Sequence, residues 1–210
     1  MRIISGTLKG RRLPSPTWPG LRPTSDRLRE TLFNILGGTV AEAAVLDACA
    51  GTGALGLEAL SRGAAAVTFV DRDARAIALI EANLERCRVT DRGTVIRGTL
   101  PDALEHVDPA VAFDLVLLDP PYEYDDRAIG AILSAVALRT APGGQVVLER
   151  ARRAGRVAAA PLRHTRRVKA GDSVLDFHVR AQEQTGRLSG VVRPADQRSR
   201  RHHPSRGPAF

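Results

Sequence analysis

The chain has 210 residues and a formal net charge of +8, long enough to bury a full core in one domain with a small extension. No apolar run reaches the roughly eighteen residues of a membrane span, and Met1-Arg2-Ile3-Ile4-Ser5-Gly6 opens no long apolar segment of the kind a secretory signal needs. Only Cys49 and Cys87 are present, in no metal-ligand spacing, so neither a disulfide framework nor a metal site is expected and a cytoplasmic protein is the default.

Residues 2–13 read as a short β-hairpin with glycines at its bends, followed by a proline-rich connector from Pro14 to Pro23. Thr24 or Ser25 then caps a helix that carries Asp26 in its first turn, an apolar stripe of Leu28, Leu32, Ile35 and Leu36, and a stop at Gly37-Gly38. From residue 43 strand and helix alternate. Strands are expected at 43–48, 66–70, 95–97, 113–118 and 145–149, and helices at 54–62, 74–86, 101–106 and 126–138. Apolar strands alternating with helices imply a parallel sheet covered on both faces, an α/β fold. Residues 162–169 and 173–180 can pair as an antiparallel hairpin across Ala170-Gly171-Asp172. The domain expectation is a basic extension over 1–38, a main domain over 39–181 and a basic, disordered tail over 182–210.

Charge is unevenly spread along the chain. Residues 1–30 hold seven Lys/Arg against two acids, residues 31–150 ten against seventeen, and residues 151–210 fourteen against four. An acidic centre flanked by basic segments points to a polyanion, most simply nucleic acid. A general preference for arginine explains part of it, since Lys9 and Lys169 are the only lysines.

The most informative local feature is Asp119-Pro120-Pro121-Tyr122, directly after the apolar run 113–118. Proline has no N–H and a fixed φ, so the turn offers carbonyl oxygens beside one carboxylate. That acceptor pair suits a planar amine with two N–H bonds, and Tyr122 offers a face on which a base can stack. An ordinary strand-ending turn is the plainer alternative.

The first strand–helix junction contains Gly51, Gly53 and Gly56, with Asp71 twenty residues after Gly51. This spacing satisfies the dinucleotide fingerprint and allows NAD. Asp47 and three further residues precede the first glycine, however, and a carboxylate there would repel a pyrophosphate. It suits instead a cofactor with a cationic end, such as the ammonium and sulfonium of S-adenosylmethionine. Glycines permit close backbone approach, and Asp71 is placed to accept from ribose hydroxyls. Asp47, Asp71 and Asp119 all fall at carboxyl ends of strands, where such folds bind ligands. A helix cap at Asp47 and a solvated loop acid at Asp71 are the alternatives. The five histidines form no triad or metal spacing, and Cys49 reads as a small filler.

Together, Asp47-x-x-x-Gly51-x-Gly53 and Asp119-Pro120-Pro121-Tyr122 resemble a class I methyltransferase acting on an exocyclic amine. Arg2-Ile3-Ile4-x-Gly6, Gly10-Arg11-Arg12, Leu21-Arg22-Pro23-Thr24-x-Asp26-Arg27-x-Arg29-Glu30-x-Leu32-Phe33-Asn34 and the run Gly53 to Arg62 resemble, more narrowly, the bacterial 16S ribosomal RNA guanine-N2 methyltransferases of the RsmD type. The match runs from residue 2 to about 180, and the amino-terminal block is its most specific part. The resemblance implies a Rossmann-like, mostly parallel seven-stranded sheet with helices on both faces and an N-terminal hairpin and helix. It implies N2-methylation of guanine 966 of 16S rRNA, in standard rRNA numbering, with S-adenosylmethionine as cofactor. The partner is then 16S rRNA within a 30S subunit or an assembly intermediate, and the enzyme a monomer away from membranes.

On that reading Asp119, Pro120, Pro121 and Tyr122 form the catalytic turn. Asp47, Ala48, Gly51, Gly53, Asp71, Arg72, Thr99 and Leu100 hold the cofactor, and Arg2, Lys9, Arg11, Arg12, Arg22, Arg27 and Arg29 dock RNA. Family members often carry Glu where this chain has Asp71. The third strand lacks the acid or amide that reads adenine in many methyltransferases, leaving Thr99 or a backbone carbonyl to serve. Rival readings are an amine methyltransferase for another RNA or for DNA adenine or cytosine, an NAD-binding oxidoreductase, and a non-catalytic RNA-binding module.

Overall fold

A computed structural model describes residues 1–14, 16, 18 and 25–182. Arg22, His202, His203 and the tail expected to be disordered lie outside the described residues, as does most of the proline-rich connector.

Five parallel strands form the centre of the molecule: β1 (Ala44–Ala48), β2 (Ala66–Asp71), β3 (Gly93–Arg97), β4 (Phe113–Leu118) and β5 (Thr140–Ala151). The antiparallel strands β6 (Leu162–Ala170) and β7 (Ser173–Arg180) complete a seven-stranded sheet of order β3-β2-β1-β4-β5-β7-β6. Strand order reverses between β1 and β4, the switch point at which open α/β sheets bind ligands. The expected α/β architecture is therefore the observed one. β5 starts earlier than its apolar core suggests, because its first residues pair with the start of β4 across a register shift.

The strands are apolar on both faces because both faces are covered. On one face Val45, Val67, Phe69, Leu115, Leu117 and Val147 meet α1 (Asp26–Leu36), α2 (Ala54–Ser61) and α3 (Ala74–Cys87). On the other, Leu46, Val70, Val116, Leu118 and Leu148 meet α4 (Asp126–Arg139) and a short 3-10 turn over Asp102–His106. Every residue of α2 is buried. Its Gly56 is required, since a Cβ there would lie 2.2 Å from the Phe69 ring.

The amino-terminal segment doubles back on itself, but its ladder is a single bridge between Arg2 and Arg12. Ile3 N–H, Gly10 N–H and Leu13 N–H bond across the bend to the Arg11, Ile3 and Met1 carbonyls, while other donors turn to α2. Ile4 N–H and Ser5 N–H donate to the two oxygens of Glu58 at 2.8 and 3.0 Å, and Leu8 N–H donates to Ser61 Oγ at 2.9 Å. Glu58 is fully buried and also bonds Arg62 at 2.8 Å, so its charge is compensated. Gly6, at φ +82°, passes so near Ser61 that a Cβ would lie 1.8 Å from the Ser61 carbonyl oxygen. Ile3, Leu8 and Leu13 share the hydrophobic cluster of α2 and α3, so the extension and the sheet have one core.

Candidate active site

The loops after β1, β2 and β4, the carboxyl end of β5 and the β6–β7 turn border an open cleft of about 1020 Å³. After β1 the backbone turns left-handed at Cys49 (φ +63°), Gly51 (φ +55°) and Gly53 (φ +72°) before α2 begins. Glycine takes that conformation freely, whereas Cys49 pays about 1 kcal/mol or more. Gly53 also needs its missing side chain, because a Cβ would come within 3.1 Å of Ile80.

Asp71 ties this loop to its neighbour. One carboxylate oxygen accepts from Gly51 N–H at 2.8 Å and the other from Asp73 N–H at 2.9 Å. Asp73 in turn caps α3 by accepting from Arg75 N–H at 2.9 Å. Each Asp71 oxygen keeps a lone pair for a second donor.

Asp47 is almost completely buried, and its Oδ2 accepts from Gly56 N–H in the first turn of α2 at 2.7 Å. Helix cap and cleft acid are thus one residue. Burial pushes its carboxyl up to about 8, and the charges of Asp119 and Asp71 push the same way, opposed by the Gly56 N–H. Burial and the same acids push the Cys49 thiol up to about 12, which fits a filler and not a nucleophile.

Beyond β2, Gly98 N–H donates to the Asp71 carbonyl at 2.9 Å. Thr99 and Leu100 then line a small cavity of about 40 Å³ with Val70, Arg72, Pro121 and Tyr124. Its lining is largely apolar. Arg72 pairs with Glu123 at 2.9 Å and lies 5.9 Å from the Tyr124 ring centre, bridging the β2 and β4 loops. Ala48 and Gly53 are the exceptions among the expected cofactor residues, since both are buried and border neither cavity. Ala48 is wholly buried beneath the loop, and its carbonyl receives Asp119 N–H at 3.3 Å.

Asp119, Pro120, Pro121 and Tyr122 all border the large cleft, together with Asp47 and Asp71. The turn is closed by Tyr124 N–H donating to the Pro121 carbonyl at 3.0 Å. Tyr122 is 63% exposed, although most large apolar side chains are inside. Two cleft residues carry no signal in the local sequence: Glu149 of β5 and Ser173 of β7, whose hydroxyl donates to Glu149 Oε1 at 2.8 Å. Burial, and the charge of Asp119 beside it, push the Glu149 carboxyl up to about 7.

Of the residues expected to dock RNA, Arg2, Lys9, Arg11, Arg12 and Arg27 are exposed. Arg29 is corrected: it is fully buried, donating to the Arg2 carbonyl at 2.8 Å and to Asp26 at 2.6 Å. It fastens the amino-terminal segment to α1 and offers nothing to a partner.

Comparison with known proteins agrees with this geometry. The family described as conserved hypothetical protein 95 matches residues 1–179. A Haemophilus influenzae protein named ribosomal RNA small subunit methyltransferase D is 40% identical over 126 residues, 60% of this chain and 65% of that protein. Its Escherichia coli K12 namesake is 42% identical over 122 residues, 58% of this chain and 60% of the relative. The aligned part is therefore just under two thirds of each relative. A solved Escherichia coli structure, 32% identical, superposes with a TM-score of 0.72 over 87% of this chain and 99% of that one.

Proposed function

The chain belongs to the conserved hypothetical protein 95 family, the RsmD type, and from that premise we propose that it methylates the exocyclic N2 amine of one guanine in 16S ribosomal RNA, guanine 966 in standard rRNA numbering. The observation that carries the reading is the meeting of Asp119-Pro120-Pro121-Tyr122 with the Asp47, Gly51 and Asp71 loops in one cleft.

S-adenosylmethionine would supply an electrophilic methyl group on a sulfonium. The residues fit it. The left-handed glycine loop allows close backbone approach, Asp71 has lone pairs for ribose hydroxyls, and Thr99 and Leu100 offer an apolar margin beside them. Asp47 is a buried carboxyl among other acids, an arrangement that a ligand ammonium would relieve and a pyrophosphate would worsen. This favours a sulfonium cofactor over NAD.

The chain's own residues then act on the amine. Guanine N2 is a poor nucleophile because its lone pair is delocalised into the ring. The Asp119 carboxylate and the Pro120 carbonyl accept its two N–H bonds, rotating the amine and directing the lone pair at the methyl carbon. The carboxylate also stabilises the positive charge that grows on nitrogen, the amine then loses one proton to that carboxylate or to water, and positioning supplies most of the remainder. Tyr122 holds the extruded base by stacking.

RNA docking falls to the exposed basic side chains Arg2, Lys9, Arg11, Arg12 and Arg27. Reversing Arg11 and Arg12 together is expected to weaken RNA binding and to make its salt dependence shallower by about two phosphates' worth of slope. An unchanged affinity would place docking elsewhere.

The reaction itself is tested by tritium transfer from labelled S-adenosylmethionine into 30S particles lacking the modification, with nucleoside analysis. Label in N2-methylguanosine at a single site is the expected outcome. Label in methyladenine of added DNA, or none in RNA, would discard the ribosomal assignment.

A further inference from the structure

Glu149 is a buried carboxyl that the reaction described above does not use. The register of β4 and β5 places it. Leu118 pairs with Leu148 in parallel, so Asp119 and Glu149 are the next residues along adjacent strands. Side chains alternate along a strand, and Leu117 and Val147, two residues earlier, both belong to the core on the α2 face. Asp119 and Glu149 therefore stand side by side on that face, and both border the cleft.

Such a pair is costly. Glu149 is only 8% exposed, its neighbour is another acid, and among the described residues its one hydrogen bond is from Ser173 Oγ at 2.8 Å. Ser173 is itself 7% exposed and is held by the β5–β7 pairing of Ala151 with Ser173. Among the described residues no arginine or lysine forms an ion pair with Glu149. Removing a carboxylate from water without donors is unfavourable, so a group that brings N–H bonds to this place gains what the fold lacks. Its raised proton affinity reports the same deficit.

Guanine brings such bonds in a row. Its N1–H lies directly beside the N2 amine, whereas adenine and 2-aminopurine present a bare lone pair at N1. With the amine on Asp119 and Pro120, the neighbouring N1–H faces the neighbouring strand. We propose that the Glu149 carboxylate, oriented by Ser173, accepts N1–H of the target guanine and makes Glu149 a specificity-determining residue. The inference rests on the guanine-N2 reading above. A site built around an N–H donor rejects an analogue lacking it far more strongly than a hydrophobic pocket rejects a missing methylene.

The test replaces the target guanine with 2-aminopurine, which keeps the amine and loses N1–H, in 30S particles reconstituted on ligated 16S RNA. At pH 8.5, above the value of about 7 to which the Glu149 carboxyl is raised, kcat/KM for the two substrates is compared for the native enzyme, Glu149→Gln and Ser173→Ala. A glutamine can accept from N1–H or donate to a bare N1. Comparing variant with native ratios cancels the intrinsic difference between the two amines. The native enzyme is expected to prefer guanine by at least about 100-fold, Glu149→Gln by less than about tenfold, and Ser173→Ala by an intermediate factor. If Glu149→Gln fails to fold, Ser173→Ala alone carries the test, with a drop of about threefold or more in the ratio as the supporting result. A ratio unchanged from native in the folded variants overturns the inference and leaves guanine-N2 methylation standing. No N2-methylguanosine from the native enzyme on the guanine substrate overturns both.

Discussion

The two halves of the cleft are built differently. Where β1, β2 and β3 end, polar groups are already partnered. Asp71 holds Gly51 and Asp73, Asp47 holds Gly56, and Asp73 caps α3. Where β4 and β5 end and β7 begins, Tyr122 lies open to solvent and, among the described residues, Glu149 accepts from the one hydroxyl of Ser173. The first half is preorganised for a ligand of fixed shape. The second holds a buried carboxyl and an exposed aromatic face, both bordering the cleft. On the reading proposed here, cofactor and base take one half each, and Asp119 stands at the boundary.

Mutations should separate the halves, and the largest effect is expected at the boundary. Asp119→Ala should lower turnover by at least about 10³-fold while leaving S-adenosylmethionine affinity within about twofold, read by single-turnover transfer and calorimetry. Retention of a tenth of native turnover would remove Asp119 from the chemistry. Asp71→Ala orphans two backbone N–H groups. It should cost about 2–4 kcal/mol of stability in urea denaturation and at least about 30-fold in cofactor affinity, with RNA affinity unchanged. A parallel fall in RNA affinity would dissolve the division. Tyr122→Ala should do the opposite. Loss of about 1–3 kcal/mol of stacking weakens RNA binding by about 5- to 150-fold and leaves the cofactor alone.

A smaller effect sharpens the contrast through pH. Asp47 has its proton affinity raised to about 8, from an ordinary value of 3.8. Between those values the folded chain keeps a proton that the unfolded chain has lost, so stability falls as pH rises through that window. Glu149 adds the same sign up to about 7. Asp47→Asn, which can still accept from Gly56 N–H, should flatten the decline seen by urea denaturation between pH 5 and 8.5. An unchanged slope would mean that Asp47 is ionised throughout. Binding of a cationic cofactor at pH 7 should also release protons, measurable by calorimetry in buffers of different ionisation enthalpy.

Much of this was legible in the chain because the signals are local. The run 113–118 is the observed β4 to the residue, and the acids at 47, 71 and 119 meet at one sheet edge because each sits at the end of its strand. What the chain did not disclose depends on partners far along it. Arg29 looks like its exposed neighbour Arg27, and only the packing of residues 1–13 against α1 buries it. The amino-terminal hairpin is shorter than expected because Glu58 and Ser61, more than fifty residues away, take the N–H groups of Ile4, Ser5 and Leu8. Glu149 is an ordinary strand-end acid until the β4–β5 register sets it beside Asp119.

The division of the cleft is tested most directly by backbone amide chemical shifts in a two-step titration, first with S-adenosylhomocysteine and then with an RNA fragment carrying the target guanine. Cofactor shifts should cluster at residues 49–53, 71–73 and 98–100, and RNA shifts at 119, 122–124, 149, 172–173 and the basic amino-terminal segment, with overlap confined to the Asp119 turn. RNA shifts falling on the first set, with residues 149 and 172–173 unmoved, would contradict the account.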